Sequence, residues 1–283
     1  MGTHIDLFTI AFVQGDAAAM QRHVDWAKGK GLGEAVMLGT QASTAAFSGQ
    51  LQRFRELNRQ ALDLLQHQNL KEIAANFEAG QAWTEAGVGN YRRARQRAQA
   101  ALAVSDGMFV KIAAAYALAL SGDLERAQSL AKEVGQRSST DTIINAVVLP
   151  MIGGAIELQR GHPGQAIELL QAVTPYELSD PGFAAIFIRG QAYLRAGSGS
   201  EAAAEFQKIL DHRGVGPTDL LYPLAHCGLA RAHALAGDTA GARRAYQDFL
   251  ALWKDADPDI PILLEAKAEY AKLRESPTSV PTN

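Results

Sequence analysis

Only one cysteine, Cys227, occurs in the 283 residues, which excludes an intrachain disulfide and any cysteine-rich zinc site. No window approaches the ~18 uninterrupted apolar residues that a membrane-spanning helix requires. The N-terminal run MGTHIDLFTIAFVQGD has no basic leader and no small-residue cleavage signal, so no signal peptide is expected. Charge is nearly balanced, with 27 Lys and Arg against 30 Asp and Glu and a net charge of -3, so no whole-chain field favours nucleic acid or a basic partner. Aromatics make up 7% of the chain, yet apolar residues reach 47%, enough to bury substantial surface.

Glycine is the residue that carries the pattern. Turns near Gly15, Gly49, Gly87 to Gly89, Gly122, Gly161, Gly197 and Gly237 each separate two stretches with apolar residues at helical spacing. Gly15 to Gly49 spans 34 residues, Gly87 to Gly122 spans 35 and Gly161 to Gly197 spans 36, and the other gaps run a few residues longer. Seven residues before each turn from the second onward stand Ala42, Gly80, Ala115, Gly154, Gly190 and Ala230, all small. Five residues after it the later turns have Ala127, Ala166, Ala202 and Ala242, and Ala94 joins this set only if the third turn is two residues longer. Small residues at such places let two helices approach closely, and Phe206 fills the gap beside them.

The pattern predicts seven helix pairs. Their bounds fall near 3–13 and 17–28, 32–47 and 51–67, 70–86 and 91–104, 108–120 and 124–134, a fifth pair around IINAVVLPMIGGAIEL, 183–196 and 200–212, and 220–235 and 239–254. SSTD at Ser138 to Asp141 and SDPG at Ser179 to Gly182 precede the fifth and sixth pairs, the first as a helix cap. Pro150 sits inside an apolar helix, where its missing N–H and its ring should kink or break it. Ile262 to Arg274 reads as an amphipathic capping helix and ESPTSVPTN as a mobile tail. The first helix has no comparable polar cover, which suggests that further sequence precedes it in a longer parent.

The unit GQAYLRAGSGSEAAAEF, Gly190 to Phe206, resembles the tetratricopeptide (TPR) repeat, a 34-residue helical pair. The stretch from Leu220 to Leu273 resembles the C-terminal segment of bacterial Ser/Thr protein kinases with TPR-type extensions, and similar regions follow winged-helix domains in bacterial regulators. No glycine-rich loop, His-Arg-Asp or Asp-Phe-Gly is present, so no kinase residue carries over. The resemblance implies an all-α, right-handed TPR-like α-solenoid of about seven repeats over residues 1–254, a capping helix within 255–275 and a disordered tail over 276–283. It implies a non-catalytic scaffold that binds a protein or peptide in a concave groove, with self-association as a second mode of contact. The alternative is a partner-binding or sensor region of a larger kinase or winged-helix regulator. A stand-alone chain is expected in the cytoplasm, and one following a membrane span would lie outside it.

In such repeats the first helix of each pair lines the groove at three, six and ten residues before the turn glycine. Those positions hold Phe77, Gln81 and Thr84 in the third unit, Tyr116 in the fourth, Phe187 and Gln191 in the sixth and Arg231 in the seventh. The competing reading is that the aromatics pack between repeats.

Other motifs resolve to structure rather than chemistry. Gly197, Gly199 and Ala202 satisfy a loose dinucleotide fingerprint, but a helix precedes them where a strand is required. Gly29, Gly31 and Gly33 lack a following Gly-Lys-Ser/Thr and read as a linker. Asp255, Asp257 and Asp259 begin like a calcium loop, yet Ile260 and Ala266 occupy its glycine and glutamate positions, so a capped turn is expected. His226 and His233 share a helix face without a third ligand, Cys227 has no evident base, and the arginines of YRRARQR, Tyr91 to Arg97, spread around a helix as a solvated face. No cofactor or metal is expected.

Overall fold

In the computed structural model, which describes residues 1–178 and 183–275, each connection inside a helix pair is closed by a glycine with a left-handed backbone. Gly15, Gly49, Gly89, Gly122, Gly161, Gly197 and Gly237 have φ between 71° and 87°, a region that costs an L side chain energy and glycine none. After each of them the next residue donates its N–H to the carbonyl five positions back, from Asp16 to Ala11 through Asp238 to His233, at 2.8 to 2.9 Å. That bond satisfies a carbonyl in the last turn of the first helix while the chain reverses into the second. Asn69, with φ 56°, closes the end of another helix in the same way, and Leu70 donates to Leu65 at 2.9 Å.

Among the described residues these turns separate fifteen α-helices and no strand. They are α1 (Gly2–Gln14) and α2 (Ala17–Ala27), α3 (Leu32–Phe47) and α4 (Leu51–His67), α5 (Lys71–Gly87) and α6 (Tyr91–Val104), and α7 (Met108–Leu120) and α8 (Leu124–Arg137). Then come α9 (Leu149–Gln159) and α10 (Pro163–Gln171), α11 (Phe183–Arg195) and α12 (Gly199–Asp211), α13 (Leu221–Leu235) and α14 (Thr239–Leu252), and finally α15 (Pro261–Glu275). Each odd-numbered helix from α1 to α13 packs on the even one after it, and α5 to α13 also pack on one another. SDPG at Ser179 to Gly182 and the tail over 276–283 lie outside the described residues.

Small residues stand where the helices meet. Ala42, Ala82, Ala115 and Ala230 are buried seven residues before their turn glycines, and Ala94, Ala127, Ala166 and Ala202 are buried five after. The third unit departs from expectation here. Its left-handed turn is Gly89 and not Gly87, so Ala82 takes the place expected of Gly80, and a Cβ on Gly80 would meet nothing within 4 Å. At Gly190 a Cβ would lie 2.8 Å from the Phe206 ring, and at Gly154 it would lie 2.8 Å from Leu170.

Pro150 does not break its helix. The segment Ile144–Val148 widens into a π-turn immediately before it, with Leu149 N–H donating to Ile144 O, so the missing proline donor falls within a locally rewound helix rather than at its end. Asp141 caps the start of that helix, its Oδ1 accepting from Ile144 N at 3.0 Å, as expected of SSTD.

The repeat pattern predicts contacts between neighbouring pairs, and the structure adds one between distant parts of the chain. Residues 253–257 return to the α3–α4 turn, about 200 residues earlier in the chain. Trp253 Nε1 donates to Phe47 O at 2.9 Å, Asp257 N–H donates to Gly49 O at 3.0 Å, and Asp257 Oδ2 accepts from Gln52 N at 2.7 Å. The C-terminal segment thus satisfies a carbonyl at the end of α3 and caps the start of α4, whose own N-cap, Gln50, makes no side-chain cap bond. A Cβ on Gly49 would lie 2.6 Å from Ala256 Cβ and 2.9 Å from the Trp253 indole, so the join requires glycine twice over. Phe47 also stacks on Tyr222 at 5.9 Å, with the Arg213 guanidinium over both rings.

Helix α15 lies on α14 and buries Leu263 and Ala266. It is tied to the preceding pair by Arg231 to Glu265 and Glu269 at 3.0 and 2.9 Å, and by Tyr246 Oη donating to Glu269 at 2.6 Å. At the other end, α1 leaves Leu7, Ile10 and Val13 exposed. No described helix is long and apolar enough to cross a membrane.

Candidate binding cavity

From the second pair to the seventh, the first helix of each pair faces one cavity, and the first pair contributes no lining residue. The cavity, of about 450 Å³, is lined by Ser43 and Ala46 of α3, Trp83 and Thr84 of α5, Tyr116 and Leu120 of α7, Leu158 and Gln159 of α9, Phe187, Gln191 and Arg195 of α11, and Arg231 of α13. Of the even-numbered helices only α6 reaches it, through Tyr91 at its first position. The lining is completed by residues 218–221, at and just before the start of α13, and by Pro261, Ile262 and Glu265 of α15. The position six residues before the turn glycine supplies Ser43, Trp83, Tyr116, Gln191 and Arg231, because every third or fourth residue of a helix returns to the same face.

Thr84, Tyr116, Phe187, Gln191 and Arg231 from the sequence reading are brought together in this lining, and Phe77 and Gln81 are not. The two-residue shift of the third turn explains both. Counted from Gly89, the inward positions are Ala79, Trp83 and Ala86, and the last two line the cavity. Phe77 instead lies against Gly39 on α3, where a Cβ would come within 2.8 Å of its ring. Gln81 is buried, with its Nε2 lacking a hydrogen-bond partner among the described residues. The signal that identifies Gly89 is Asn90 after it, since Gly15, Gly122 and Gly237 are each followed by Asp.

The walls combine aromatic surface with a few polar groups. Trp83 and Tyr116 pack with ring centroids 4.1 Å apart and a tilt of 41°. Tyr116 is 1% exposed, and burial, with the Asp219 carboxylate adding to it, holds its phenol well above the usual range. Its hydroxyl, like the side chains of Thr84, Gln191 and Thr218, has no hydrogen-bond partner among the described residues. The charged lining residues are Arg195, Arg231, Asp219 and Glu265, two of each sign. Arg231 is paired with Glu265 and Glu269, Asp219 Oδ1 accepts from Leu221 N at 2.8 Å, and Arg195 Nη1 donates to Leu158 O.

Cys227 is buried, and burial pushes its thiol up to about 12. His233 pairs with Asp238 at 3.0 Å while His226 Nδ1 is buried without a partner, and no group of three metal-ligating side chains occurs among the described residues. Asp257 caps α4 across the join. In YRRARQR, Arg95 donates to Ser121 O at 2.6 Å and Arg97 pairs with Glu78 at 3.1 Å, leaving Arg92 and Arg93 exposed. Gly197 forms the α11–α12 turn, and Gly199 abuts the end of α13, where a Cβ would lie 2.8 Å from Ala232 O. No protein-family model matches the chain, and no curated protein matches it.

Proposed function

We propose that this chain is a non-catalytic binding module, a right-handed TPR-like solenoid of about seven helix pairs that receives a protein or peptide ligand on its inner wall. The observation that supports this reading is the inward convergence of α3, α5, α7, α9, α11 and α13 on one cavity. Helices stacked in pairs with one member always inward build a binding surface whose side chains are set by position and freed from the packing between pairs. The volume lies within the range of ligand sites, about 300 to 1,000 Å³. Only a short part of a partner enters it, because the C-terminal segment already occupies one side. The alternative, a sensor region of a larger kinase or winged-helix regulator, rests on the resemblance of residues 220–273 alone.

The test is selection of displayed random peptides on the immobilised full chain, followed by calorimetry on the enriched sequences. Binding that falls at least tenfold in Gln191→Trp, which fills the cavity, and is unchanged in Arg92→Ala on the outer surface supports the inner wall. No enrichment, or enriched peptides indifferent to Gln191→Trp, defeats it.

A further inference from the structure

We infer that the cavity is a site for one compact, flat aromatic group that carries hydrogen-bonding atoms at its edge and no net charge. The inference rests on the binding reading above and names what is bound.

Three features of the cavity specify that chemistry. First, the cavity of about 450 Å³, bounded on one side by Pro261, Ile262 and Glu265 of α15, has the size of one ring system with its substituents. Second, the cavity is walled by aromatic faces, the Trp83–Tyr116 pair and Phe187, and flat rings gain from offset or edge-on packing against such faces beyond their buried area. Third, polar groups without partners of their own stand among those rings. Tyr116 is the clearest case, because its ring is packed in the wall while its hydroxyl, with no partner among the described residues, is free to accept from or donate to a group in the cavity. Gln191 and Thr84 line the same space, with both donor and acceptor capacity uncommitted among the described residues.

The charge balance sets the sign. Arg231 is neutralised by two carboxylates, Asp219 stands opposite in sign to Arg195, and the lining carries no surplus. A cation or an anion entering the cavity would lose hydration against a lining that carries no net charge to offset the loss. A neutral amide or phenol keeps its hydrogen bonds through Tyr116, Gln191 and Thr84. The group could arrive on a free molecule or as the aromatic side chain of a peptide, and the experiment separates these sources.

Calorimetry on the full chain uses indole-3-acetamide as the neutral probe, with tryptamine and indole-3-acetate as its charged counterparts and cyclohexanecarboxamide as the aliphatic one. The expected result is saturable one-to-one binding of indole-3-acetamide, at least fivefold weaker binding of the other three, and at least tenfold loss in Gln191→Trp. Thr84→Phe, checked for wild-type helicity and melting, serves as an independent filling variant should Gln191→Trp not fold. Lack of saturation, preference for a charged or aliphatic probe, or indifference to both filling variants overturns the inference. In a second arm, a capped hexapeptide with a central Trp is compared with its Ala counterpart. Trp-dependent binding that displaces the probe identifies a side chain as the source, and probe binding without peptide binding identifies a free molecule. If selected peptides bind in a manner lost in Gln191→Trp while the probe never saturates, the aromatic site falls and the inner-wall reading stands.

Discussion

Alanine at Gly190 and alanine at Gly80 are the same chemical change in the middle of an α-helix, and the packing around them gives the two substitutions opposite signs. At Gly190 the new Cβ lies 2.8 Å from Phe206 Cζ and 2.9 Å from Cε1, inside van der Waals contact. The ring has little room to move, because Gly228 on α13 presses on the same ring, its own Cβ position lying 2.5 to 2.7 Å away. Overpacking of this kind costs about 1 to 3 kcal/mol. Replacing a mid-helix glycine by alanine returns about 0.5 to 1 kcal/mol of backbone entropy. Gly190→Ala is therefore expected to destabilise by roughly 0 to 2.5 kcal/mol, and Gly190→Leu by about 1 to 3 kcal/mol or more as further carbons crowd the ring. Gly80→Ala meets nothing within 4 Å and should stabilise by about 0.5 to 1 kcal/mol. Urea titrations followed by circular dichroism, compared at equal slope, measure both shifts. Midpoints that move in the same direction by the same amount would refute the assigned register of α5 and the close approach at α11.

The join, the thiol and a buried histidine yield further expectations. Asp257→Ala removes the acceptor for Gln52 N–H and should cost about 0.5 to 2 kcal/mol, as lost helix caps do, with faster hydrogen exchange at Gln52. Unchanged exchange there would show that the join does not persist in solution. Cys227, with its thiol pushed up to about 12 by burial, should not react with a disulfide reagent at pH 8 in the native chain and should react once in urea; native labelling at the denatured rate would contradict the packing around α13. His226 is held below its ordinary 6.5 by burial, against a smaller opposing effect of Asp248. The unfolded chain then binds this proton more readily than the folded one, so stability should fall as pH drops below about 6.5 toward the folded value. His226→Gln should lessen that slope between pH 7 and 5, and an unchanged slope would assign it to other groups.

The helices were legible because two local signals agreed at nearly every boundary. A glycine ended the first helix of each pair, and apolar residues at helical spacing resumed after it, so 32–47, 51–67, 91–104 and 108–120 match the observed helices residue for residue. Where two glycines competed, in AGVGN, spacing from the preceding turn could not choose between Gly87 and Gly89. The polar residue after the second glycine could have, since it begins the next helix. That single choice moved the inward face of α5 by two residues, about 200° of rotation around a helix. It exchanged Trp83 for Gln81, and with it the largest aromatic surface of the cavity. Pro150 was expected to kink or break its helix, and the distortion takes the form of a π-turn over Ile144–Val148, after which the helix continues as α9.

The join between residues 253–257 and the α3–α4 turn had no local signal at all. Trp253 and Asp257 sit in a segment that reads as the end of one helix and a charged turn, and their partners lie about 200 residues away around Gly49. A periodic pattern describes contacts between neighbouring pairs, which repeat; a contact made once between distant pairs leaves no period to detect. The Asp-x-Asp-x-Asp run shows the consequence. Read locally, it competed between a cation loop and a capped turn, whereas Asp257 caps a helix of the second pair. Its acceptor oxygen answers an N–H that α4 cannot satisfy through Gln50. The odd-numbered helices set which side chains face inward. Beyond the join at Gly49, α15 adds Pro261, Ile262 and Glu265 to the same lining.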